Sequence, residues 1–100
     1  MLLYNVTSSI EPGAASAWLT YMRKVHMPEV MASGFFIKCQ LLRVLNEEDG
    51  GHTYAAQYYC VSQEQLDAYQ QHAAPALRAD MEHRFAGQFA SFRTVLEVVE

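Results

Sequence analysis

The chain has 100 residues and a mass of 11.3 kDa, which is the size of one domain. Hydrophobic residues make up 51% of it and charged residues only 18%, a balance that excludes a disordered chain. The net charge of −4 argues against nucleic acid as a partner. No apolar run is long enough to span a membrane, and the N-terminal segment lacks the features of a signal peptide. We therefore expect a cytoplasmic protein that contacts neither nucleic acid nor membrane.

The first third of the chain predicts a strand followed by a helix. Residues 2–8 alternate between two sets of side chains, which is typical of a strand. Pro12 suits the first turn of a helix, and an apolar face at helical spacing follows it as far as Val25. Because a residue before proline avoids the α conformation, we expect Pro28 to interrupt this helix, with a short second turn over residues 29–33.

A hairpin is predicted next. Residues 35–45 and 52–61 are rich in strand formers and flank a turn at residues 46–51, where an Asp-Gly-Gly run is the strongest signal. Cys39 and Cys60 fall on the two strands and form no CxxC pair. Two cysteines of this kind indicate reduced thiols, as in a cytoplasmic protein.

The last part of the chain predicts a second helix and a fourth strand. Ser62 and Gln65 form a capping box, which marks where this helix begins. Pro75 is expected to kink or split the helix just before it, because its ring clashes with the preceding turn. Gly87 is the expected helix end, and residues 88–99 form the final strand.

The predicted order is β-α-β-β-α-β within a single domain over residues 1–100, which is the ferredoxin-like α+β pattern. Right-handed crossovers put both helices on one side of a four-stranded antiparallel sheet, with the first and third strands in its middle.

Strand alternation divides the sheet into two faces with different composition. The mostly apolar set, expected to face the helices, includes Tyr4, Val6, Ile37, Cys39, Tyr58, Phe92 and Leu96. The opposite set mixes apolar residues with polar ones and includes Asn5, Phe36, Gln57, Tyr59 and Arg93. A mixed face suits a sheet that packs against another sheet around a small wet cavity.

Four segments resemble a family of small uncharacterised bacterial proteins: MLLYNVTSSIEPGAASAWLTYMRKVHMPEVMASGFF, LLRVL, QYYCVS and FRTVLEV. The resemblance covers nearly the whole chain. That family is in turn similar to the dimeric α+β barrel group, which includes the antibiotic-biosynthesis monooxygenases. The resemblance implies a ferredoxin-like fold and a homodimer in which two protomers pack sheet against sheet. It implies no particular reaction.

His26 is the candidate catalytic residue. It lies near the end of the first helix, in KVHMPEV, and a histidine with a pKa near neutrality acts as a general acid or base. Many proteins of the barrel group carry a histidine near the end of this helix. The alternative is a helix-end histidine whose cation is favoured by the helix dipole.

Asn5, Gln57, Tyr59 and Arg93 are the candidate ligand-binding residues, because alternation predicts that they line one sheet face on three adjacent strands. Arg93 is suited to anchor a carboxylate or phenolate, Asn5 and Gln57 to orient a carbonyl, and Tyr59 to donate a proton or stack on a ring. Cofactor-independent monooxygenases of the barrel group use residues of these types. The alternative is a polar dimer interface.

The usual motifs for metals and nucleotides are missing from the sequence. HExxH, CxxC, GxGxxG and P-loop patterns do not occur, nor does a nucleophile elbow, so we predict neither a metal site nor a cofactor. Three functions remain open. The first is a cytoplasmic homodimer that binds a small ligand in an inter-sheet or helix–sheet cavity. The second is a cofactor-independent monooxygenase or isomerase acting on a small aromatic or hydroxylated substrate. The third is an interaction module without a ligand.

Overall fold

The computed structural model describes residues 1–45, 50 and 52–100. Its elements, in chain order, are β1 (Leu2–Ile10), a 3₁₀ turn (Pro12–Ala14), α1 (Ala15–Tyr21), a π-helical segment (Met22–His26), α2 (Met27–Ala32), β2 (Lys38–Arg43), β3 (Thr53–Cys60), α3 (Gln63–His72), α4 (Ala74–Phe85) and β4 (Phe89–Glu97). The predicted turn at residues 46–51 lies outside the described residues except for Gly50, which has a φ of +77°.

The four strands form one antiparallel sheet in the order β2-β3-β1-β4. The ferredoxin-like α+β prediction is therefore confirmed, with the first and third strands in the middle of the sheet. The helices cover one face, which we call the inner face, where Tyr4, Ala56 and Tyr58 are buried in the core. The other side of the sheet is called the outer face. Among the described residues, no helix is both long and apolar enough to cross a membrane.

Pro28 does not end the first helix, contrary to expectation. Helical conformation continues from Pro12 to Ala32, and the five residues before Met27 widen into a π-helical segment in which the Met27 N–H donates to the Met22 carbonyl. A proline has no N–H and crowds the carbonyl four residues before it, so a wider turn there lets the helix pass through the proline. The segment carries His26 at its end.

Phe36 lies in the core, although alternation predicts it on the outer face. Its ring packs 4.7 Å from the ring of Tyr69 and 5.3 Å from that of Tyr58, measured between centroids. Ile37, predicted to face the helices, is 55% exposed. The reason is that β2 begins only at Lys38, so the alternation of the strand does not extend back to residues 35–37.

The faces predicted for β4 are reversed in the structure. Arg93 pairs with Val6 and therefore points to the inner face, whereas Phe92 pairs with Thr7 and points outward, where it is 63% exposed. Leu96 also faces outward, 43% exposed. Apolar residues occur at both odd and even positions of β4, so their alternation does not show which set faces the helices. Pairing with β1 decides this.

The second helix begins and divides as predicted. The Ser62 hydroxyl accepts a hydrogen bond of 3.2 Å from the Gln65 backbone N–H. The helix is split into α3 and α4 at Ala73, two residues before Pro75. α4 ends at Phe85, Ala86 is its C-cap, and Gly87 follows with a φ of +75°, a conformation that favours glycine.

We expect Ser62→Ala to destabilise the fold by roughly 0.5–2 kcal/mol, because it leaves the Gln65 N–H without its acceptor. Urea unfolding followed by circular dichroism measures this. Ser16→Ala is the matched control, since Ser16 is exposed inside α1 and alanine is the better helix former there. Equal stability of Ser62→Ala and the wild type would contradict the role of the cap.

Candidate functional site

A cavity of about 480 Å³ lies between the inner face of the sheet and the helices. The sheet contributes small side chains to it, among them Val6, Ser8, Ala56 and Ser91. Tyr4, Val6 and Ser8 of β1 line it, so it extends about 13 Å along that strand. This volume is typical of sites for small organic ligands.

Two arginines converge on one phenol at this cavity. The Tyr4 hydroxyl accepts hydrogen bonds from Arg93 Nε at 2.9 Å and from Arg78 Nη2 at 3.0 Å. Tyr4 is buried, whereas both arginines are exposed, so the cluster lies where the cavity meets solvent. Within the described part of the chain the one ion pair is Arg84–Asp80, so neither Arg78 nor Arg93 has a carboxylate partner there. Glu82 is the acidic residue of the lining.

His26 also lines the cavity and is electrically neutral at pH 7. Burial lowers the pKa of His26 from its ordinary value of 6.5 to about 4; the charge of Asp80 opposes this shift and that of Arg93 adds to it. The side chain is 9% exposed, and its Nδ1 has no hydrogen-bond partner among the described residues. The alternative of a helix-end cation is not favoured, because the helix continues to Ala32 and burial favours the neutral imidazole.

Tyr58 is a second residue of the cavity lining with a buried polar atom. It is 2% exposed, and its hydroxyl has no partner within the described chain. Burial raises the pKa of Tyr58 well above its usual range, so the group stays an O–H donor. A buried phenol hydroxyl normally finds a partner.

Behind His26, the first helical stretch is joined to α4 by a polar cluster. The Tyr21 hydroxyl donates to Asp80 Oδ2 at 2.9 Å, and Arg84 Nε donates to both oxygens of the same carboxylate. The Tyr21 and Arg84 hydrogen bonds hold the pKa of Asp80 below its usual range. The Tyr21 ring packs 5.7 Å from that of His26, so this cluster fixes the wall against which His26 lies.

The predicted ligand-binding group divides between the two faces of the sheet. Asn5 and Gln57 lie on the outer face, where Gln40 donates to Gln57 at 3.0 Å and Gln57 donates to Asn5 at 3.2 Å. Tyr59 lies on the same face, with the Lys38 ammonium 4.5 Å from its ring centroid. The prediction that Arg93 shares this face is wrong, because the β1–β4 register turns Arg93 to the inner face.

Sequence reasoning missed three cavity residues: Tyr4, Tyr58 and Arg78. Both tyrosines belong to the predicted helix-facing set, and the sequence signal for a polar site there is that a buried tyrosine normally needs a partner for its hydroxyl. Arg78 gave no such signal, because it is 74 positions from Tyr4 in sequence. The described residues include no group of three or more histidine, cysteine or acidic side chains that could hold a metal ion.

The fold and this cavity define a ferredoxin-like α+β protein with a helix–sheet site. The chain belongs to the family described as "Domain of unknown function (DUF4286)", whose model matches residues 1–99. No curated protein matches the sequence.

Among solved structures, the chain is similar to antibiotic-biosynthesis-monooxygenase-like proteins of the ferredoxin fold. A dimeric ferredoxin-like protein from an uncultured marine organism has a TM-score of 0.74 at 14% identity, with 100% of this chain and 96% of that chain covered. An antibiotic biosynthesis monooxygenase has a TM-score of 0.70 at 12% identity, with both chains covered completely. A mutant of MhuD with two manganese protoporphyrin IX molecules bound per active site has a TM-score of 0.71 at 23% identity, covering 100% and 96%. The TM-scores show a shared fold, and at these identities they show the fold alone.

The neutral His26 predicts a pH dependence of stability. Its pKa is lower in the folded state than in the unfolded state, so its contribution is complete above pH 6.5 and is lost as the pH falls towards 4. A shift of this size corresponds to about 3 kcal/mol. Urea unfolding at several pH values measures the loss.

His26→Phe should flatten the pH profile between pH 6.5 and 4, because it removes the titrating group and keeps a ring against Tyr21. His83→Gln, at an exposed position of α4, is the control and should keep the wild-type slope. An unchanged slope in His26→Phe would show that other groups cause the acid sensitivity.

Proposed function

We propose that the protein is a cytoplasmic homodimer that binds a small organic acid with an apolar body in its helix–sheet cavity. The single observation that carries this proposal is the convergence of Arg78 and Arg93 on the Tyr4 hydroxyl, with no carboxylate partner for either among the described residues.

The arginine pair favours an anion. Two guanidinium groups that share one acceptor repel each other, and an added negative charge between them relieves that repulsion. Each guanidinium has five N–H donors, so both retain donors for a carboxylate after bonding Tyr4. The lining carries two positive charges, on Arg78 and Arg93, and one negative charge, on Glu82, since His26 is neutral at pH 7.

The rest of the lining favours an apolar body on the ligand. Val6, Ala56, Met22, Met81 and Phe89 supply aliphatic, thioether and aromatic surface beside the arginine cluster. The cavity volume of about 480 Å³ accommodates more than a single ring. An acid with one or two fused rings therefore matches both the charged end and the apolar walls.

The outer face supports the homodimer. Phe92, Leu96 and Leu42 are 63%, 43% and 39% exposed there, and Lys38 is the one charged side chain among the outward-facing strand residues that are described. So large an uncharged surface favours burial against another protein surface. One similar structure is described as dimeric. The free thiols of Cys39 and Cys60 support the cytoplasmic location.

A second candidate function is a cofactor-independent monooxygenase or isomerase with His26 as the proton acceptor. The unpartnered Nδ1 in the cavity favours it. A base works best when its pKa lies near the working pH, and the pKa of His26 is about 4. Hydrogen bonding to the ligand is therefore the better supported role, and binding is the function we propose.

The arginine anchor is tested with 2-naphthoate and its uncharged analogue 2-naphthamide, by thermal shift and calorimetry. We expect the acid to raise the melting temperature of the wild type and the amide to have no effect. Arg93→Met and Arg78→Met should each weaken naphthoate binding by roughly 10–100-fold, because each removes charged hydrogen bonds. Methionine keeps an apolar stem in place.

Arg23→Met is the matched control. Arg23 is exposed on the π-helical segment and does not line the cavity, so this variant removes one positive charge without changing the anchor. It should bind naphthoate as the wild type does. Equal binding by the wild type and a double Arg78, Arg93 variant would overturn the proposal.

The homodimer is tested by sedimentation at micromolar concentration, where we expect about twice the monomer mass of 11.3 kDa. Phe92→Lys should give monomers, because it puts a charge into the outer face. Val99→Lys is the control at a residue that is 84% exposed beyond β4 and should leave the mass unchanged. A wild-type monomer would contradict the assembly.

A further inference from the structure

Two residues of the cavity lining each have a polar atom without a hydrogen-bond partner in the described part of the chain. The Tyr58 hydroxyl and His26 Nδ1 are both buried, and neither makes a hydrogen bond within the described residues. Leaving such groups unpaired in a folded protein is unfavourable, so a site that holds two of them is built to pair them with something else. Trp18 Nε1 is also unpaired but does not line the cavity, and it carries no inference.

We propose that the cavity has a second polar subsite, formed by Tyr58 and His26, that receives a hydroxyl group on the body of the ligand. This inference rests on the proposed binding of an organic acid at Arg78 and Arg93. Together the two subsites select a hydroxylated cyclic acid: an anionic group at the arginines and an O–H group deeper in the cavity.

A hydroxyl group matches these two residues better than a carbonyl does. A hydroxyl both donates and accepts hydrogen bonds. It can accept from the Tyr58 O–H, and it can donate to His26 Nδ1 in the tautomer that leaves this nitrogen unprotonated. A carbonyl only accepts, so it would leave the acceptor nitrogen of His26 unpaired. A second charged group on the ligand is disfavoured, because the subsite is buried and carries no charge of its own.

The buried position of the subsite also makes it selective. Tyr58 lies on β3, directly opposite Tyr4 of β1 in the register, and their ring centroids are 6.3 Å apart. Tyr58 therefore lies beside the anion anchor on strand backbone, whereas His26 belongs to the π-helical segment in the helical wall of the cavity. A ligand held by the arginines has its ring system over the inner face, on which Tyr58 lies.

The test compares 2-naphthoate with its 5-, 6- and 7-hydroxy derivatives, whose hydroxyl groups lie on the ring away from the carboxylate. We expect at least one derivative to bind the wild type about tenfold or more tightly than 2-naphthoate, since pairing buried polar groups is favourable. Tyr58→Phe should abolish this preference, measured within each variant as the ratio of the dissociation constants of 2-naphthoate and the hydroxy derivative.

Tyr54→Phe is the matched control. Tyr54 is also a buried tyrosine on the inner face of β3, but it does not line the cavity, and its hydroxyl accepts a hydrogen bond from Arg43. The control should retain the hydroxyl preference. Without ligand, the melting temperature of Tyr58→Phe should be higher than that of the wild type by roughly 4–8 °C, because the variant lacks an unpaired buried hydroxyl. The same gain is not expected for Tyr54→Phe.

The outcomes separate the two proposals. If all four acids bind equally, or if Tyr58→Phe keeps the preference, the hydroxyl subsite is wrong and the anion site stands. A fall in the melting temperature of Tyr58→Phe would likewise overturn the subsite, because it would mean that the hydroxyl already has a stabilising partner. If none of the acids binds the wild type, both proposals fail.

Discussion

The pairing of Val6 with Arg93 across β1 and β4 is the constraint on which the chemistry of the inner face depends. A shift of one residue in this register would turn Arg93 to the outer face and leave Tyr4 with a single arginine. In the observed register, the Tyr4 hydroxyl joins an arginine of the edge strand to an arginine of α4. One hydrogen-bonded oxygen thus ties the helical layer to the sheet and concentrates positive charge at the cavity.

Pro28 has a related effect on the other wall of the cavity. The π-helical segment before it lets the helix continue, so His26 stays in the buried helical layer and is not moved into a loop. His26 is only 9% exposed in that layer, and this burial lowers its pKa to about 4. The imidazole consequently adds a neutral donor and acceptor to a cavity whose positive charge comes from arginine alone. Binding of an anion beside it would remove part of the Arg93 repulsion and make His26 easier to protonate.

The fold was predictable from the sequence because its signals are local. The capping box at Ser62 and the alternation of β1 need no knowledge of distant residues, and both agree with the structure. The orientation of β4 was not predictable, because apolar residues at both odd and even positions allow either set to face the helices. The register with β1 determines which set does so. The candidate site depends on the orientation of β4, because this orientation decides whether Arg93 faces the cavity. Arg78 contacts Tyr4 only when α4 packs over the sheet, and no local sequence pattern predicts a contact between residues 74 positions apart.

The two faces of the sheet differ in whether their polar groups are already paired, and this difference separates their roles. On the outer face, Gln40, Gln57 and Asn5 hydrogen-bond one another in a row across three strands, so they can be covered by a second sheet without a loss of hydrogen bonds. On the inner face, Tyr58 and His26 have no such partners in the described chain. Polar groups that satisfy each other suit an interface, whereas unpaired buried groups suit a ligand. The proposed dimer interface and the proposed ligand site therefore lie on opposite faces of one sheet, and β1 contributes Asn5 to the first and Tyr4 to the second.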